Sequence, residues 1–197
     1  MIRSARVSRL SFYLILVVAC GSTGLADALV EDEDTEGVVE QFGLGGMFVN
    51  TYKPNNDIQA IQMTAFAQVR PDRIWPEFPL KPLRFKVGCR AGITVHPNRR
   101  ALVSGGLILL YYLGDFGPCH VRPYVEGGCH VIYTDFQVDD QGLRVNFNPQ
   151  LALGVQFDVA SEQSYFITFG LHHISNARMD TDNAGINSMA ISIGRLF

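Results

Sequence analysis

Apolar and polar residues alternate with a period of two through most of the chain. In LRFKVGCRAGITV, Leu83, Phe85, Val87, Cys89, Ala91, Ile93 and Val95 oppose Arg84, Lys86, Gly88, Arg90, Gly92 and Thr94. In LRVNFNPQLALGVQFDV, Leu143, Val145, Phe147, Leu151, Leu153, Val155 and Phe157 oppose Arg144, Asn146, Asn148, Gln150, Gly154, Gln156 and Asp158. Strict alternation marks strands with one apolar and one polar face. Eight such segments are expected, over residues 39–51, 57–70, 83–96, 100–112, 120–134, 143–159, 163–176 and 185–197. Turn-forming stretches such as KPNND, HPNR, GDFGP and DDQG separate most of them. The fourth segment, ALVSGGLILLYYL, alternates poorly.

Two architectures accommodate eight strands. A soluble barrel or sandwich turns the apolar face inward; a transmembrane barrel turns it outward and fills its lumen with polar side chains. The polar face carries Arg84, Lys86, Arg90, Arg122, Glu126, Arg144 and Asp158, which could pair as an ionic network in a narrow interior. The segments also exceed ordinary strand length and suit a tilted bilayer crossing. The chain stops on ISIGRLF, with a terminal aromatic, Phe197, of the kind that closes bacterial outer-membrane barrels. The expected fold is therefore all-β, an eight-stranded antiparallel up-and-down transmembrane β-barrel over residues 39–197.

The N-terminus adds a destination. Arg3, Arg6 and Arg9 precede SFYLILVVA, an apolar run too short to span a bilayer, and Ala26-Asp27-Ala28 is a usable cleavage site. Residues 1–28 thus read as a signal peptide. The alternative is a lipoprotein signal ending before Cys20, since Val17-Val18-Ala19-Cys20 is a loose lipoprotein box. Residues 29–38, with Glu31-Asp32-Glu33-Asp34, are expected as an acidic, disordered lead-in. The formal charge of −3 carries no basic footprint for nucleic acid. Cys89, Cys119 and Cys129 are an odd set beyond the signal, which excludes a disulfide framework and leaves at most one pair, involving Cys119.

Candidate chemistry sits in HHISNARMDTDNAGINS (His172 to Ser188). The seventh segment presents Tyr165, Ile167, Phe169 and Leu171 on its lipid face and continues on that face with His173 and Ser175. With both termini periplasmic, odd-numbered strands climb outward, so these two residues meet the outer leaflet near its headgroups, where the acyl esters of lipopolysaccharide lie. Residues two apart on a strand point the same way, about 7 Å apart at the backbone. An imidazole so placed can act as general base on the hydroxyl for acyl transfer. Asn187 shares the lipid-facing parity of Met189, Ile191 and Ile193 on the returning strand and can approach the imidazole as a third group.

His173-Ile174-Ser175-Asn176-Ala177, followed by Asn183-Ala184-Gly185-Ile186 and a terminal strand, is similar to the C-terminal signature of the PagL family. That resemblance implies an outer-membrane lipid A 3-O-deacylase, a bacterial serine hydrolase acting on lipopolysaccharide among outer-membrane lipids. It implies His173 as base, Ser175 as nucleophile, and Asn183 with backbone N–H groups after Asn176 as the oxyanion site. Two positions depart from the pattern. Asn187 stands where the family carries a glutamate, and Arg178 where it tends to carry glycine. An asparagine oxygen can fix the imidazole tautomer but cannot stabilise an imidazolium by charge, so a slower enzyme is expected. Asp180 or Asp182 could supply the carboxylate instead, and Arg178 could pair with a lipid A phosphate. No metal or organic cofactor is implied, because this route needs none. The alternative is a catalytically impaired or inactive barrel with a lipid-binding or structural role.

Other features have plainer readings. His172 points into the barrel as a lumen residue. His120 and His130 share a face but lie roughly 33 Å apart along one strand, too far to share a metal. Asp180-Thr181-Asp182-Asn183-Ala184-Gly185 superficially resembles a calcium loop, but Ala184 and Ile191 occupy ligand positions. Gly43, Gly45 and Gly46 read as lumen or close-packing positions. Tyr111, Tyr112, Tyr133 and Trp75 are expected as interfacial anchors.

Overall fold

A computed structural model describes residues 38–54, 57–160 and 163–197; the expected signal peptide and all of the acidic lead-in but Val38 lie outside the described residues. Eight strands form a closed barrel: β1 (Val39–Lys53), β2 (Gln59–Val69), β3 (Leu83–His96), β4 (Ala101–Tyr112), β5 (Arg122–Thr134), β6 (Val145–Ala160), β7 (Gln163–Ile174) and β8 (Ile186–Leu196). Each pairs antiparallel with its sequence neighbour, and β8 returns to β1 with Phe48 opposite Ile191. A single-turn helix, α1 (Pro71–Ile74), lies in the β2–β3 connection, and Trp75 at its end packs edge-on against Phe85 at 6.2 Å. Cys89, Cys119 and Cys129 stand outside any disulfide.

The alternation explains the sidedness. From β2 to β8 the odd-numbered residues face outward, and Met63, Leu109, Leu151, Leu153, Phe169 and Ile193 are all exposed. In β1 the even residues do so, as Phe42, Leu44 and Phe48 demonstrate. An apolar wall of this kind is stable only against lipid, since water around it would cost about 25 cal/mol per Å².

The interior holds paired polar groups. Lys86 Nζ lies 2.9 Å from Glu126 Oε2, and Arg90 Nη2 donates to Gln150 Oε1 at 2.8 Å. Arg122 pairs with Asp158 at 3.5 Å, and outside the interior, near the end where β1 begins, Arg84 pairs with the exposed Glu40. Lys86 also sits 4.2 Å from the centre of the Phe66 ring, a cation–π contact, and Phe66 meets Phe166 edge-on at 5.4 Å. Gly43 makes room for that ring, because a Cβ there would collide with Phe66 Cζ.

Three expectations need correction. Arg144 is not a lumen residue; it is exposed before β6 and pairs with Asp135 at 2.6 Å. His120 precedes β5 in a turn, beside Asp115, rather than sharing the strand with His130. Tyr112 is not an interfacial anchor, because its hydroxyl reaches inward, to Gln156 Oε1 at 2.5 Å and Gln68 Oε1 at 3.1 Å.

The lumen is also not polar throughout. Met47, Val49, Leu102, Ile132, Ile174 and Ile186 form a buried apolar plug at the end where β7 stops and β8 begins, with Phe136 and Val138 of the β5–β6 connection packed on it. Leu102, Ile108 and Leu110 point inward from β4, which is why that strand alternates poorly.

Candidate active site

The plugged end of the barrel carries the candidate chemistry on its outer wall. β7 pairs with β8 as far as Ile174 and Ile186, with His173 directly opposite Asn187. Both are half-buried on the outward face. His173 Nδ1 lies 2.7 Å from Asn187 Oδ1. An amide oxygen only accepts, so this contact puts the ring proton on Nδ1 and the lone pair on Nε2. Beneath the ring is Gly185, where a Cβ would stand 2.6 Å from His173 Cε1. The imidazole is thus seated between an amide and bare backbone. On its other side Asn187 faces Lys53 of β1, across a register shift.

Ser175 continues the line of β7 beyond its last paired residue. It exchanges two backbone hydrogen bonds with Phe147 of β6, at 2.8 and 3.0 Å, and so keeps the outward parity of His173. Its hydroxyl makes no hydrogen bond among the described residues. Catalytic contacts in unliganded sites commonly tighten only around substrate.

The chain then turns sharply. Asn176 is fully buried and holds the turn with three bonds: its Oδ1 accepts the Arg178 N–H at 2.9 Å, its Nδ2 donates to Asp182 O at 2.8 Å, and its own N–H donates to Asn183 Oδ1 at 2.8 Å. The Asn176 side chain is therefore a buried brace within the loop. Ala177 (φ 54) and Arg178 (φ 65) both take the left-handed conformation that favours glycine. Arg178 and Met179 N–H are engaged by Asn176, which leaves the Ala177 N–H as the first unpartnered backbone donor after Ser175 in the sequence, among the described residues. With its oxygen taken, Asn183 has only its Nδ2 donors to offer.

The two acidic candidates lie elsewhere. Asp180 Oδ1 accepts the Asp182 N–H at 3.0 Å, and its carboxylate packs over Gly142. Asp182 is exposed and contributes its backbone carbonyl to Asn176 and Gly142. The partner of His173 is Asn187 and neither aspartate. Arg178 is exposed and lines a shallow depression with Met179, Asp180, Thr181 and Asn183. Sequence reasoning did not reach Gly185 as the floor under the imidazole or Phe147 as the backbone partner of Ser175, because both contacts depend on strand register rather than on local pattern.

A family profile described as lipid A 3-O-deacylase (PagL) matches residues 86–195, more than half of the chain. Among solved structures the chain is similar to the outer membrane enzyme PagL, with 20% identity over 77% of this chain and 97% of that one, at a TM-score of 0.56. It is similar also to Neisserial surface protein A, with 14% identity over 79% of this chain and 94% of that one, at a TM-score of 0.60. No curated protein matches it. At these identities the structural likenesses speak for the fold alone, and one barrel can host unrelated activities. The family match and the exposed apolar wall make the chain a barrel of the bacterial outer membrane. By the extent of that profile match, carried on the closed eight-stranded fold, the chain belongs to the PagL family of lipid A 3-O-deacylases.

Proposed function

We propose that this barrel hydrolyses an ester-linked 3-hydroxyacyl chain of lipopolysaccharide with a Ser/His site on its lipid-facing wall. The observation that carries the reading is the 2.7 Å contact between His173 Nδ1 and Asn187 Oδ1, on the same outward face as Ser175. Ser175 Oγ attacks the ester carbonyl while His173 Nε2 takes its proton. The carbonyl oxygen becomes an oxyanion, stabilised by the Ala177 N–H and Asn183 Nδ2, each such donor being worth about 3–4 kcal/mol. The C–O bond to the sugar breaks, and the leaving oxygen takes the proton from His173. Water then attacks the acyl-enzyme with His173 again as base, releasing the hydroxy fatty acid and restoring Ser175. Asn187 holds the ring through both halves, and Arg178 is suited to a bidentate contact with a lipid A phosphate.

Selectivity for the 3-position is what the family implies; the residues themselves argue for a serine-dependent acyl hydrolase at the outer leaflet. One observation favours a second reading, a barrel with impaired or lost catalysis: the position opposite His173 holds a neutral amide. Mass spectrometry of lipid A after incubation with refolded wild type and with Ser175→Ala separates the two. Loss of one hydroxyacyl mass with wild type only supports the deacylase. Unchanged lipid A with a folded protein supports the inactive barrel.

A further inference from the structure

We infer that the β5–β6 connection, residues 135–144, is a positioning element for acyl transfer, acting by fixing Asn183; this rests on the deacylase reading above. The connection is clamped at both of its edges. One foot is apolar: Phe136 and Val138 pack on the plug that closes the barrel, and Thr134 Oγ1 donates to Phe136 O at 2.8 Å. The other edge is bonded to the β7–β8 loop. Gln141 and Asn183 form an antiparallel bridge, flanked by Gly142 N–H to Asp182 O at 2.8 Å and Ala184 N–H to Asp140 O at 2.7 Å. Asn183 is therefore the central residue of a small two-chain ladder.

Gln141 itself is buried and folded onto its own loop. Its Oε1 accepts the Val138 N–H at 3.2 Å, and its carbonyl accepts Gln137 Nε2 at 2.6 Å. The ladder thus connects the plug to the segment whose Asn183 Oδ1 receives the Asn176 N–H, one residue after Ser175. Without it, the Asn183 backbone would be held from its own loop alone. Gly142 is the tightest point: a Cβ there would meet the Asp180 carboxylate carbon at 2.5 Å, and that same carboxylate holds the Asp182 N–H. A side chain at 142 must turn the Asp180 carboxylate aside and so break its bond to the Asp182 N–H, beside Asn183.

The test uses the full refolded barrel and its Gly142→Val, Phe136→Ala and Asn183→Ala variants, read by kinetics on lipopolysaccharide and by amide NMR in detergent micelles. A misplaced oxyanion donor costs rate rather than binding, so we expect Gly142→Val to lower kcat about 10–100-fold with KM within about twofold. If the connection acts through Asn183, Gly142→Val adds no further loss in the Asn183→Ala background. Phe136→Ala, which loosens only the apolar foot, should reproduce the loss more weakly and shift the Asn183 side-chain and Asn176 backbone amides. Unchanged kcat in both variants, additive losses with Asn183→Ala, or unmoved Asn183 and Asn176 amides would each overturn the inference. A wild type that is folded but leaves lipopolysaccharide intact overturns the deacylase reading instead, and the amide shifts still decide whether the connection fixes Asn183.

Discussion

His173 and Asn187 face each other across the last strand pair of the barrel, their side chains 2.7 Å apart, and the group that meets the imidazole there is an amide rather than an acid. An acid in this position would orient the imidazole and stabilise it once protonated; an amide oxygen does only the first. A charge-assisted hydrogen bond is about twice as strong as a neutral one, and a gain of about 1.4 kcal/mol is tenfold in rate. Asn187→Glu is accordingly expected to raise kcat about tenfold. Lys53 faces the same position from β1 and would keep the new carboxylate ionised. Asn187→Ala, which removes the orienting acceptor, should lower kcat by a comparable factor. Single-turnover deacylation of lipopolysaccharide measures both; a glutamate variant no faster than wild type would argue against ring protonation in the transition state.

If His173 and Ser175 act as proposed, Gly185 should be nearly as sensitive as they are, although it has no side chain. A Cβ at this position stands 2.6 Å from His173 Cε1, so Gly185→Ala must push the imidazole outward and off Asn187. Displacements of about 1 Å at a reacting group can cost roughly 10²-fold in rate. Because the ring is free to swing toward lipid, barrel stability should change by less than about 1 kcal/mol. Parallel measurement of kcat and of urea unfolding in micelles checks this, and equal losses in both would mean that the glycine serves the fold and not the ring.

Arg178 combines strain with charge. Its φ of 65 is the conformation in which a non-glycine residue costs about 1–2 kcal/mol. Arg178→Gly should therefore stabilise the loop by about 1 kcal/mol while raising KM for a phosphorylated lipid. Arg178→Lys keeps the charge and the strain but loses the bidentate fork, so its KM should fall between the two. Kinetics on lipid A with and without its phosphates isolates the charge contribution: the KM difference between wild type and the Arg178→Gly variant should vanish on the dephosphorylated lipid.

How much of this was readable without coordinates follows from the range of each interaction. The strands and their lipid-facing parity were legible because a bilayer imposes the same alternation on every crossing, and His173, Ser175 and Asn187 inherit their direction from it. Tyr111 and Tyr112 show the limit. Within Leu107 to Tyr112 every residue is apolar or aromatic, so pattern alone cannot assign the phase, and it is the Gln68 and Gln156 acceptors on other strands that draw Tyr112 inward. The plug was invisible for the same reason: its members, Ala60 of β2 among them, come from six strands and look like stray apolar residues on each. The ladder between Gln141 and Asn183 joins two loops whose sequences carry only turn chemistry, and nothing local marks their register.

The buried pair inside the barrel gives a prediction about stability rather than activity. Lys86 and Glu126 are 8% and 5% exposed and 2.9 Å apart, and Lys86 also lies over Phe66. Removing one partner of a buried pair strands the other charge, at a cost of about 3–5 kcal/mol, whereas replacing both with apolar residues of similar volume is often neutral or stabilising. Glu126→Gln should therefore lower the unfolding midpoint of the barrel in urea markedly. The double variant Lys86→Met, Glu126→Leu should recover most of that loss, because Phe66 and Phe166 offer an apolar surround for the new side chains. Loss of heat-modifiable gel mobility follows the same order. Since this pair lies in the lumen and the His173 site on the outer wall, kcat of any variant that stays folded should be unchanged. A Glu126→Gln barrel as stable as wild type would mean that the Phe66 ring and lumen water are enough to hold the Lys86 charge.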